Sequence, residues 1–242
     1  MKFMDKIRAK SADLSNGEFP TIAFFGDSVT QGCFELYYKS DGEFETLFDR
    51  DHAYSRYIDR LLDMLYPGAP FHVINAGISG DNATHALEQR LERDVIRYHP
   101  DLTVVCFGLN DSVKTGMNGI AAYRNSLSEI FRRLKEAGSD VIFMTPNMMN
   151  TYITADTAGG KISEAAKQCE SVQNEGVLEA FLDAAKEAAK VWDVKVCDCY
   201  SVWKRLYNNG VDTTLLLSNR INHPTREMHW LFAMKLLDCI LD

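Results

Sequence analysis

Apolar residues along this chain follow two patterns that take turns. Short unbroken runs stand at TIAFF (21–25), FHVINA (71–76), LTVVCF (102–107), DVIFMT (140–145) and VKVCD (194–198). A strand with one wet face alternates apolar and polar side chains. Continuous runs therefore predict strands covered on both faces, as in a parallel sheet. Between the runs, apolar positions recur at i, i+3 and i+4. Tyr54, Tyr57, Ile58, Leu61, Leu62 and Leu65 make one such stripe. Ile120, Tyr123, Leu127, Ile130, Phe131 and Leu134 make another, ended by Gly138 at the C′ position. Residues 177–192 and 226–241 supply two further helices, the last entered through Pro224 with Thr225 as N-cap.

This β-α-β-α order predicts an α/β fold, a five-stranded parallel sheet with right-handed crossovers and helices on both faces. Ligands of such sheets collect beyond the carboxyl ends of the strands. Two longer irregular segments are expected in that position, residues 33–50 and 146–162. The chain has 242 residues, 46% of them hydrophobic and 25% charged, with no internal repeat or linker. One sizeable core fits that length, and residues 1–242 are expected to form a single domain.

Charge and sulfur narrow the function classes. The 26 Lys and Arg residues against 34 Asp and Glu give a net charge of −8, which disfavours nucleic acid or an anionic membrane as partner. No apolar run approaches the roughly 18 residues of a membrane span. The first residues, MKFMDKIRAKSADL, hold no unbroken apolar segment of a secretory signal. The six cysteines lack the spacing of a zinc knuckle or redox pair, and Cys106 and Cys197 sit within strand-like runs. They read as reduced and structural, in a cytoplasmic protein.

The strand ends carry the chemistry. The first delivers Gly26-Asp27-Ser28-Val29-Thr30-Gln31-Gly32, and the second Asn75-Ala76-Gly77-Ile78-Ser79-Gly80-Asp81-Asn82. The third delivers Gly108-Leu109-Asn110-Asp111, and Asn222-His223-Pro224 precedes the last helix. Acyl transfer needs a nucleophilic oxygen, a base of near-neutral pKa and donors aimed at a developing oxyanion. Ser28 can attack, and His223 can take its proton. Gly80 can offer an unobstructed N–H, and Asn110 an amide N–H. Asp27 reads as a brace for the turn rather than an acid catalyst.

GDSVTQG, ISGDN, GLND and the late NHP resemble, in order, the four blocks of the SGNH (GDSL-like) hydrolases, from residue 26 to residue 224. The resemblance implies a three-layer, flavodoxin-like α/β/α sandwich. It makes Ser28 the nucleophile, His223 the base, and Gly80, Asn110 and the Ser28 amide the oxyanion donors. It implies no metal or organic cofactor, and a small-molecule acyl ester as substrate.

One position departs from the family pattern. Arg220 stands three residues before His223, where the family usually has an orienting Asp. Asn219 or a main-chain carbonyl is left to hold the imidazole, in a dyad-like centre; Asp198 and Asp212 are more distant alternatives. Ser28 could otherwise be only an N-cap, Asn110-Asp111 an Asx turn, and Gly77 and Gly80 plain turn glycines. The other histidines read as structural or solvent-facing, with His229 in the core. Phe34, Tyr37, Tyr38, Phe44 and Phe48 read either as loop packing or as the substrate wall.

The leading expectation is an esterase for short- to medium-chain acyl esters, with O-acetylated carbohydrate as preferred substrate class. A lysophospholipase or acyl-thioesterase is the rival, with Met144, Met148, Met149 and Tyr152 lining an apolar channel. A non-catalytic relative that only binds ligand is a third reading. No G-x-G-x-x-G, Walker or G-x-S-x-G motif points to another α/β class.

Overall fold

The computed structural model describes residues 1–242. Its helices are α1 (Lys2–Ala12), α2 (Ser28–Gln31), α3 (Tyr54–Leu65), α4 (Ala83–Gln89), α5 (Leu109–Thr115), α6 (Ile120–Glu136), α7 (Gly160–Asn174), α8 (Val177–Val191), α9 (Cys199–Asn208) and α10 (Arg226–Leu241). Its strands are β1 (Thr21–Gly26), β2 (Cys33–Tyr38), β3 (Phe44–Phe48), β4 (His72–Gly77), β5 (Leu102–Cys106), β6 (Asp140–Met144) and β7 (Lys195–Cys197).

The five predicted strands form one sheet in the order β4-β1-β5-β6-β7, every neighbouring pair parallel. Helices cover both faces, so all residues of β1 and β5 are buried. β4 departs from that rule: it is an edge strand, and His72 through Ala76 stay partly or fully exposed. The strand order reverses between β1 and β5, and their following turns part there to leave a crevice. No helix is long and apolar enough to cross a membrane.

The expected irregular stretch 33–50 is instead largely an antiparallel hairpin, β2 paired with β3 through Tyr38↔Phe44, Tyr37↔Glu45 and Leu36↔Thr46. Its signal was present in the sequence. Asp41-Gly42 stands between two runs rich in aromatics, and Gly42 takes φ +82°, as such turns require. The stretch 146–162 is irregular apart from a 3-10 turn at Ala155–Thr157, and α7 begins within it at Gly160. Six helices went unpredicted, the short α2, α4 and α5 at strand ends and the longer α1, α7 and α9. α1 sinks Phe3, Met4 and Ile7 into the core, α7 sinks Ile162, Ala166 and Cys169, and α9 sinks Trp203. The hairpin and α7 both stand over the crevice.

Candidate active site

β1 ends at Gly26, and the chain turns at once into α2. The Asp27 side chain caps that helix by accepting the Val29 N–H at 3.0 Å. Ser28 is thereby freed of the capping role and becomes the first residue of α2, so its own N–H is one of the unpaired donors of a helix start. Burial pushes the Asp27 carboxyl up to about 7, so near neutral pH it is only partly charged.

The second block lies against the first. A Cβ on Gly77 would run into the Gln31 main chain, so this glycine serves a close approach of α2 to β4. The Gln31 Oε1 accepts the Ser79 N–H at 2.6 Å, which draws the Ile78–Asn82 turn toward Ser28. Gly80 sits at φ +76° with open space where a Cβ would be, and its carbonyl accepts from Lys114 Nζ at 2.6 Å.

The third block interlocks with the second. The Asn110 Nδ2 donates to the Asp81 carbonyl at 2.8 Å, and Asp111 Oδ1 accepts the Ala83 N–H at 2.9 Å. One N–H of the Asn110 amide is thus committed to holding the side chain, and its second remains for a ligand. Asp81 is itself fixed by Arg90 and by His85.

His223 arrives on the turn before α10. Its Nε2 lies 3.0 Å from Ser28 Oγ, and its Nδ1 lies 3.0 Å from the carbonyl oxygen of Phe34, the second residue of β2. With Nδ1–H donated to that carbonyl, Nε2 is the acceptor for the Ser28 hydroxyl. Burial pushes the imidazole down from 6.5 to about 4, partly offset by the Phe34 carbonyl bond and the Glu35 charge. The ring is therefore a neutral base around pH 7.

Of the two acceptors foreseen for the imidazole, the structure places the main-chain one there and gives Asn219 a different task. The Asn219 Oδ1 accepts the N–H groups of Ile221, Asn222 and His223 at 3.0, 2.9 and 2.9 Å, folding the turn that presents His223. Arg220 takes left-handed φ (58°), and its guanidinium turns away onto the Leu217 carbonyl at 2.9 Å. Asp198 caps α9 and pairs with Lys186 at 2.9 Å, and Asp212 accepts from Tyr152 Oη at 2.6 Å. Neither carboxylate is a partner of His223.

Ser28, Gly80, Asn110 and His223 converge on one cavity of about 460 Å³. The aromatic cluster divides around it. Phe44 and Phe48 line the wall, Phe34 packs in the core against His229, and Tyr37 and Tyr38 face solvent. Across from the hairpin, α7 contributes Ala165, Gln168 and Cys169. Met144, Met148 and Met149 are buried in the core, and neither they nor Tyr152 line this cavity, contrary to the channel the rival reading expected. His229 is buried, as expected of a core residue, and its Nδ1 accepts the Tyr54 N–H at 3.0 Å.

Residues 24–231 match the model of the GDSL-like Lipase/Acylhydrolase family. The chain is 28% identical over 193 residues to an acetylxylan esterase of Geobacillus stearothermophilus, covering 73% of this chain and 86% of that one. The crystal structure of an acetylxylan esterase from that organism superposes with a TM-score of 0.65 at 20% identity, over 92% of this chain and 94% of the other. An alpha/beta hydrolase enzyme from the metagenome of Lake Arreo, Spain, gives a TM-score of 0.66 at 18% identity, over 90% and 94% of the two chains. At these identities the solved structures speak for a common fold. The match to the family model spans most of the sequence and all four blocks, and on that ground this chain belongs to the GDSL-like lipase/acylhydrolase family, as a hydrolase acting on ester bonds.

Proposed function

We propose that residues 1–242 act as one domain that removes acetyl or other short acyl groups from carbohydrate esters, with Ser28 as nucleophile and His223 as base. The observation that carries this is the 3.0 Å bond between Ser28 Oγ and His223 Nε2 on the wall of the cavity. His223 takes the Ser28 proton as Oγ attacks the acyl carbonyl. The oxyanion meets the Ser28 and Gly80 N–H groups and the free N–H of the Asn110 amide. The imidazolium then returns its proton to the leaving alcohol. Water, deprotonated by His223, releases the acid and restores Ser28.

The likeness to an acetylxylan esterase supports an acetylated carbohydrate as substrate. So does a cavity that sets Glu45, Gln168 and Asn222 among apolar groups, since sugar hydroxyls need such partners. The lysophospholipase and thioesterase readings draw no support from Met144, Met148, Met149 or Tyr152, none of which lines this cavity. Six free, buried cysteines support a reducing, cytoplasmic setting.

The test is a series of hydrolysis rates on p-nitrophenyl esters from acetate to palmitate, then on acetylated xylo-oligosaccharides and lysophospholipid. Acetyl esters should be fastest, and Ser28→Ala should abolish turnover and fluorophosphonate labelling while folding normally. A preference for palmitoyl esters would refute the substrate class. Undiminished turnover in a folded Ser28→Ala would refute the nucleophile.

A further inference from the structure

With Arg220 at the family's usual Asp position, the imidazole is held by a main-chain oxygen, the Phe34 carbonyl 3.0 Å from Nδ1. That carbonyl belongs to a hairpin whose two strands pair only with each other and not with the main sheet. Sheet hydrogen bonds therefore do not register Phe34 against His223. Another contact has to hold the two together.

Arg226 is placed to do so. It opens α10, three residues after His223, and its Nη1 and Nη2 donate to the two carboxylate oxygens of Glu35 at 2.6 and 3.1 Å. Its Nε donates to Asp49 Oδ2 at 2.8 Å. Glu35 directly follows Phe34 in β2. Asp49 directly follows β3, and its N–H closes the base of the hairpin on the Gly32 carbonyl at 2.8 Å. The guanidinium carbon lies 4.4 Å from the centroid of the Phe34 ring. One rigid planar fork thus grips both strands of the hairpin and the ring of the residue whose carbonyl meets His223. Arg226 is anchored in turn, since its carbonyl accepts from Tyr57 Oη at 3.3 Å.

We propose that Arg226 is a positioning residue for ester hydrolysis, clamping Glu35 and Asp49 so that the Phe34 carbonyl stays on His223 Nδ1 in place of the family's aspartate. The inference rests on the Ser28–His223 reading above. When the clamp is lost, the hairpin drifts from α10, the imidazole loses its Nδ1 acceptor, and Nε2 no longer faces Ser28 Oγ. Misplacement of a reacting group by about 1 Å costs on the order of a hundredfold in rate.

The experiment compares Arg226→Ala, Arg226→Lys, Glu35→Gln and the double variant Arg226→Ala/Glu35→Gln. Two quantities are read: kcat/KM on phenyl acetate, and exchange with water of the downfield imidazole N–H proton of His223. That resonance is identified by its loss in His223→Ala, and it is also measured in Ser28→Ala, where no turnover is needed. Arg226→Ala should lower kcat/KM by about ten- to a hundredfold and speed exchange of the His223 proton. Arg226→Lys should recover only part, because one ammonium cannot grip both carboxylates. The double variant should be no worse than Arg226→Ala alone. Unchanged kcat/KM with an unchanged resonance in Arg226→Ala overturns the proposal, as do a fully active Arg226→Lys and additive losses in the double variant. If the unaltered protein hydrolyses no ester, the Ser28–His223 reading falls, and proton exchange alone then decides the clamp.

Discussion

An acid titration of kcat/KM probes the electrostatics of the centre directly. His223 must be neutral to accept the Ser28 proton, and kcat/KM follows the free enzyme, so activity falls as pH drops through the pKa of His223. Burial pushes that pKa from 6.5 down to about 4. Near pH 5, a group titrating at about 4 is about 90% neutral, whereas one left at about 6.5 is only about 3% neutral. The protein should therefore retain most of its kcat/KM there, about thirtyfold more than an ordinary imidazole allows. The assay is release of phenol from subsaturating phenyl acetate, followed by ultraviolet absorbance, because phenol stays un-ionised throughout this range. Circular dichroism at each pH separates titration from acid unfolding. That control matters because His223 and His229, pushed down to about 4 and about 3, oppose folding in acid. Between the unfolded value and these folded values the unfolded chain binds more protons, so stability falls as pH falls. A midpoint at or above 6.5, with the dichroism unchanged, would refute the reasoning: the imidazole would then be solvated, or another group would be the base.

Asn110→Ala should lower kcat by about 10²–10³ with little change in KM, because the amide binds charge that exists only in the transition state; a tenfold rise in KM with kcat intact would make it a substrate-binding residue. Asn219→Ala should lower both Tm and kcat, since it strands the N–H groups of Ile221, Asn222 and His223 at a cost of about 1–3 kcal/mol. A variant with native Tm and kcat would show that the turn holds itself. Asp111→Asn should gain thermal stability relative to the unaltered protein as pH rises. Burial pushes the Asp111 carboxyl up to about 7 and leaves Oδ2 without a partner, so the stability of the protonated form is lost as pH rises through that value. A Tm difference that stays constant from about pH 5 to about pH 8 would sink this account.

What the sequence disclosed depended on whether a role needs a particular side chain. Parallel strands buried on both faces demand continuous apolar runs, so the five sheet strands were legible with boundaries off by a residue or so. α7 was not, because a stripe of Ile162, Ala166 and Cys169 is a weak apolar signal beside one of Leu and Tyr. The same rule divides the site. The proposed nucleophile, base and amide donor, and a glycine with positive φ, are residue-specific roles, and the sequence named Ser28, His223, Asn110 and Gly80 for them. The acceptor for the imidazole is a carbonyl, which every residue carries, and only the placement of the hairpin against α10 decides that Phe34 supplies it. The ion pair of Arg226 with Glu35 was hidden for another reason: its partners lie 191 residues apart, and no local pattern marks them. The exchange of an aspartate for a carbonyl also has a physical logic. A buried carboxylate is costly to desolvate, whereas a carbonyl fixes the tautomer without burying a second charge. It stabilises the transient imidazolium less, and part of that difference is made up from a distance. Glu35, 45% exposed and paired with Arg226, raises the His223 pKa through its charge. The negative charge thus stays where hydration is cheap, and only a neutral oxygen enters the buried centre.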